Sequence, residues 1–157
     1  MAGRIEARLA ELGLALPEPA SPAANYVPYL VARGLVFVSA QGPIWNGEPR
    51  YLGRIGAELS LEQGRAAAEL TALNLVAQIK RACAGDLDRV RRIVRLGGFI
   101  NATPTFSQLP QVMDGASDLM VRIFDGAGRH ARFVLGAAAL PLGLAVAIDA
   151  VADVGGR

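Results

Sequence analysis

The chain of 157 residues is 52% hydrophobic and carries a formal net charge of +2, which suits one domain with a sizeable core and gives no basic tail or stripe for nucleic acid. A single cysteine and a single histidine rule out an internal disulfide and leave too few ligands for a protein-built zinc site, so no metal is expected. No apolar run reaches the length of a membrane span, and the charged start Arg4-Ile5-Glu6-Ala7-Arg8 lacks the apolar core of a secretory signal, so a cytoplasmic chain without membrane contact is expected.

Ile5, Leu9 and Leu12 recur at helical spacing with Gly13 behind them, which predicts a short helix over residues 4–12. Pro17, Pro19 and Pro22 then make residues 15–26 extended and irregular. Residues 1–24 are thus a helix and proline-rich linker, and residues 25–157 the domain proper. Residues 26–30 and 35–40 read as strands about the turn Ala32-Arg33-Gly34, the second too apolar to leave either face in water. Gln41-Gly42-Pro43 opens a loop to Gly56 in which Trp45 and Tyr51 are read first as packing residues.

Ser60-Leu61-Glu62-Gln63 has the form of a capping box, and the helix it starts is expected to reach Ala84. Ala66, Leu70, Leu73 and Ala77 form its apolar stripe, widened by Val76 and by Cys83, which is read as core. Residues 89–100 alternate apolar side chains with Arg89, Arg91, Arg92 and Arg95, a strand with a solvated or subunit-facing edge. A second long helix is predicted over residues 111–124, its methionines in the core. Two strands, 131–138 and 144–151, follow around Leu140-Pro141-Leu142-Gly143. This order predicts an α+β domain: a mixed sheet, two long helices on one face, and an opposite face that self-association would bury.

Arg132 and Asp149 stand in those last two strands, where charges are costly unless paired or wet, and they are the first candidates for chemistry. His130 shares a strand face with Arg132 by spacing and is read as a surface residue. The run Ala131-Arg132-Phe133-Val134, Leu140-Pro141 and Val146-Ala147-Ile148-Asp149 resembles the C-terminal signature of the RidA/YjgF family of imine and enamine deaminases, once labelled endoribonuclease L-PSP. Asn25-Tyr26-Val27-Pro28, the run from Leu35 to Pro43 and the stretch from Phe106 to Phe124 match in order.

The resemblance implies a chorismate-mutase-like fold, a homotrimer with clefts between subunits, and cofactor-free hydrolysis of acids such as 2-iminopropionate or 2-aminoacrylate. It implies that Arg132 pairs with the substrate carboxylate, a task that suits a planar guanidinium. Asp149, in the place of the family's terminal Glu, would orient the attacking water, and Tyr26, Gly42 and Asp114 would line the substrate site. Ala147 and Asp149 replace two glutamates of the family pattern, and Asp114 replaces an asparagine. Those departures keep open a second reading, a trimeric metabolite-binding or regulatory protein without turnover. Endoribonuclease activity is the least favoured, since RNA cleavage needs paired acid-base groups or metal ions.

Overall fold

A computed structural model describes residues 2–156. In chain order it contains α1 (Arg4–Glu11), β1 (Tyr29–Ala32), β2 (Leu35–Gln41), β3 (Ile44–Trp45), β4 (Glu48–Pro49), α2 (Leu61–Ala82), β5 (Arg92–Asn101), α3 (Leu109–Phe124), β6 (Ala131–Ala137) and β7 (Val146–Asp153). Five strands form one mixed sheet in the order β1-β2-β7-β5-β6. Only the β5–β6 pair is parallel, as a strand-helix-strand connection through α3 requires. The fold is the α+β arrangement expected, with α2 and α3 on one face.

Several boundaries move for physical reasons. β1 starts at Tyr29 rather than at residue 26, because Pro28 has no N–H to give to a ladder. Its hairpin with β2 closes on Arg33-Gly34, both left-handed at φ 51° and 78°, the two-residue turn whose twist suits the flanking strands. β5 starts at Arg92 because residues 87–89 form a 3-10 turn, begun by the Asp86 carboxylate accepting from the Asp88 amide. The strands β6 and β7, though joined by a short turn, are not neighbours: β5 lies between them.

The capping box is formed as expected: the Gln63 amide donates to Ser60 Oγ at 3.1 Å and the Ser60 amide donates to Gln63 Oε1 at 2.8 Å. From there α2 differs from a one-striped helix, because residues 71–79 are buried on every side. The sheet lies beneath it and α3 beside it. The proline-rich segment covers a further side, where Gln78 Nε2 donates to the Ala20 carbonyl at 2.9 Å. α3 comes so close that a Cβ on Gly115 would overlap the Arg65 carbonyl, so only glycine permits this crossing.

α1 is fastened at both ends. Ile5 and Leu9 enter the common core, and the Asp88 carboxylate accepts from the Arg4 and Ile5 amides at 2.8 Å each. Those amides are among the orphan donors of a helix start, and they hold the Asp88 carboxyl below the usual aspartate range, Ile5 contributing most. Burial, by contrast, pushes the Cys83 thiol up, which fits the expected core position rather than a reactive one.

The sheet face away from the helices is open. Leu30, Phe37, Val94, Phe99 and Leu135 lie on it and are exposed. Val36, Val38, Leu96, Ile100, Val146 and Ile148 alternate with them on the covered face and are buried. The second strand is therefore covered on one side only within a single chain.

Candidate functional site

Arg132 is the second residue of β6 and points to the helix side of the sheet. Its Nη1 donates to Asp114 Oδ1 at 2.8 Å and to Ser117 Oγ at 3.0 Å, and its Nη2 donates to the Pro110 carbonyl at 3.3 Å. Asp114 and Ser117 are three residues apart on α3 and so share a face. Pro110 sits at the start of the same helix, so the guanidinium is braced along about two turns of α3.

His130 extends the cluster. Its Nδ1 lies 2.6 Å from the Gly128 carbonyl and its Nε2 lies 2.9 Å from Ser117 Oγ. A carbonyl only accepts, so in the neutral ring Nδ1 carries the hydrogen and Nε2 accepts the Ser117 hydroxyl proton. The Ser117 oxygen is thereby turned toward Arg132 as an acceptor. His130, read from sequence as a surface residue, is half-buried and part of this chain of bonds.

A guanidinium has five N–H donors. Three are taken here, and Nε with one Nη2 hydrogen has no partner among the described residues. Nε and Nη2 form the side edge of the fork, which accepts a carboxylate through two parallel bonds. The side chain is 25% exposed.

Asp149 lies elsewhere. β7 pairs it with Gly97 of β5, and it projects from the open face, where both of its oxygens receive Arg95 Nη2 at 3.1 and 3.2 Å. The Arg95 guanidinium stands 5.3 Å over the Phe133 ring, which meets Phe99 edge-on at 5.6 Å. A side chain on Gly97 would collide with both Asp149 and Phe133, so the glycine lets the ion pair and the ring converge. Within one chain, Arg132 and Asp149 face opposite sides of the sheet and do not meet.

Tyr26 and Gly42 form a third group. Both line a cavity of about 420 Å³ with Ser39, Gln41, Leu142 and Ala147. Tyr26 is exposed, whereas Gly42 is buried and the space beside it is filled by Leu144. Packing against Leu144 therefore accounts for the glycine. The Gly42 carbonyl accepts from Asn74 Nδ2 at 3.2 Å.

Of the five residues singled out from sequence, the fold joins Arg132 with Asp114 and Tyr26 with Gly42, and leaves Asp149 apart. Tyr26 leads into β1 and Arg132 lies on β6, the two edge strands, separated by four strand spacings or about 19 Å. Ser117, His130 and Arg95 were not read as site residues. The three-residue spacing of Asp114 and Ser117 on a helix was the available signal for Ser117, and Arg95 was masked by its neighbouring arginines.

Comparison with known proteins agrees with this architecture. The YjgF/chorismate mutase-like endoribonuclease family model matches residues 6–154. Protein TCP17 of Trypanosoma cruzi is 43% identical over 152 residues, covering 96% of this chain and 94% of that protein. The crystal structure of Atu1372 from Agrobacterium tumefaciens is 40% identical with a TM-score of 0.89, covering 95% of this chain and 91% of that one. A crystal structure from Shewanella oneidensis is 38% identical with a TM-score of 0.93, covering 96% and 99%. RidA from a Psychrobacter species, at 22% identity and a TM-score of 0.59 over 87% of this chain and 93% of that one, shares the fold. The chain belongs to the YjgF/RidA family of chorismate-mutase-like domains.

Proposed function

We propose that the protein hydrolyses small imine or enamine acids to 2-keto acids and ammonia, without a cofactor, in clefts between the subunits of a homotrimer. The Arg132 Nε hydrogen and one Nη2 hydrogen, which have no partner among the described residues, carry this reading. They form a preorganised seat for one carboxylate, because α3 has already fixed the other edge of the fork. Water adds its oxygen to the C=N carbon and a proton to the nitrogen, and the adduct's hydroxyl proton then passes to nitrogen as the C=O bond forms and the C–N bond breaks, its electron pair leaving with ammonia.

Assembly follows from the separation of the two half-sites. Tyr26 and Arg132 sit toward opposite edges of the sheet, so a single chain cannot bring them onto one small ligand. A head-to-tail contact between copies does so, and it closes a ring when the rotation is right. The open face, with Leu30, Phe37, Phe99 and Leu135 exposed, supplies apolar surface for such a contact.

The test is ammonia release from freshly generated 2-iminopropionate, with particle mass followed by light scattering. Arg132→Ala and Arg132→Lys are expected to lose turnover while keeping the mass of the native assembly. Unchanged turnover in both would overturn the assignment.

A second reading, metabolite binding without turnover, is favoured by one observation. Asp149, the carboxylate that the resemblance assigns to orient water, has both oxygens engaged by Arg95 Nη2, which leaves them less free to hold a water. Thermal stabilisation of the protein by short keto or amino acids, with no ammonia released, would select this reading.

A further inference from the structure

Asp114 is the residue at the Arg132 seat that the carboxylate-anchor reading leaves without a purpose. An anion beside a carboxylate-binding arginine works against every anionic ligand, unless the ligand also carries a positive charge. Asp114 Oδ1 is held by Arg132 Nη1 at 2.8 Å, while no hydrogen bond reaches Oδ2 among the described residues, and the side chain is 42% exposed. One edge of the pair thus offers donors and the other an unpartnered acceptor. Arg132 and Asp114 together carry no net charge.

We infer that Asp114 makes this site selective for acids that also bear a cationic nitrogen, that is iminium and amino acid zwitterions, over equally small acids without one. The inference rests on Arg132 as the carboxylate anchor and names the class of acid that the anchor takes. A carboxylate seated on Nε and Nη2 gains from Arg132 and loses part of that gain to Asp114. A positive nitrogen on the same ligand recovers it from Asp114, and a 2-keto acid has nothing with which to do so.

The consequence for hydrolysis is direct. The protonated C=N is the form that water attacks, and it is the zwitterionic form of an imine acid. The 2-keto acid left after ammonia departs has lost the cationic nitrogen, so it is the weaker ligand and leaves. Substrate and product are thereby distinguished by charge rather than by shape.

Ser117 and His130 keep this pairing in place. Because Ser117 Oγ gives its hydrogen to His130 Nε2, it can accept from Arg132 Nη1. Nη1 is then filled by Asp114 and Ser117 together, and a ligand carboxylate is directed to the side edge.

The experiment is calorimetric titration of the full-length protein with L-alanine and with pyruvate, for the native chain, Asp114→Asn and Arg132→Ala. The native chain is expected to bind L-alanine about fivefold more tightly than pyruvate, the size of a solvent-screened charge contact. Asp114→Asn is expected to abolish that preference, chiefly by tightening pyruvate, and Arg132→Ala to remove both ligands. Equal preference in the native chain and Asp114→Asn, with Arg132→Ala still abolishing binding, would overturn the role of Asp114 and leave the anchor standing. Binding of neither ligand to the native chain would overturn the anchor and the inference with it. Should Asp114→Asn fail to fold, the native ratio decides alone: pyruvate bound as tightly as L-alanine overturns the inference.

Discussion

The pairs Arg132–Asp114 and Arg95–Asp149 have their arginines on the adjoining strands β6 and β5 and their carboxylates on α3 and β7, and they differ in how each guanidinium is surrounded. On the covered side, Arg132 has three acceptors from α3, and its Nε and one Nη2 hydrogen have no partner among the described residues. On the open side, Arg95 has one carboxylate and one aromatic ring beneath it. The first arrangement braces a charge against one helix. The second joins two charges among exposed apolar side chains. Similar residue types thus meet different surroundings on the two faces, according to what the sheet packs against.

The contrast can be broken most strongly through the core. Leu96→Ala, on the covered face and fully buried, is expected to cost about 3 kcal/mol, or roughly 10 °C in melting temperature. Leu135→Ala, one strand away on the open face and 56% exposed, is expected to cost less than about 0.5 kcal/mol within a single chain, yet to lower the particle mass seen by light scattering. Equal melting shifts with unchanged mass would show that the two faces do not differ in this way.

Smaller effects sharpen it. Asp149→Asn, with Arg95 and Asp149 side chains 42% and 37% exposed, is expected to change stability by no more than about 1 kcal/mol, read from urea unfolding. A loss several times larger would mean that the pair is buried in the assembly and left uncompensated by the change.

The smallest effect is local and acid-dependent. The Asp88 carboxyl is held below its ordinary value of 3.8 by the Ile5 and Arg4 amides. Its contribution to docking α1 is therefore complete above that value and is lost as pH falls through the lower, folded value. Hydrogen exchange at the Ile5 amide is expected to accelerate in acid more than exchange at core amides of β7, and Asp88→Asn to remove that difference. An Ile5 amide indifferent to acid would refute the account.

Elements were legible wherever a local rule was strong. Ser60 and Gln63 announced α2, and the three- and four-residue spacing of Val112, Ala116, Leu119 and Ile123 announced α3. The apolar run from residue 26 points to a strand three residues too early, because Pro28 lacks the amide that a ladder needs. The hairpin of β3 and β4 went unread although Asn46-Gly47, left-handed at φ 49° and 83°, is a strong two-residue turn signal.

The site was less legible because sheet order is not local. Arg132 and Asp149 are close in sequence and both stand in apolar strands, which invited pairing them. The insertion of β5 between their strands and the two-residue alternation of strand faces put them on opposite sides. Nothing in the spacing of Arg95 among its neighbouring arginines marks it as the partner of Asp149, since that contact depends on the register of β5 against β7.

The position of β7 also bears on the order in which the molecule can be made. It is the last strand in sequence, yet it is the one that joins β2 to β5. Until it has been synthesised, the β1–β2 hairpin and the β5–β6 pair are separate pieces, each with a bare backbone edge and an apolar side awaiting cover. Sheet closure is therefore a late, long-range event for a chain growing from its N-terminus, and a nascent chain stalled before Val146 would expose surfaces prone to mispairing.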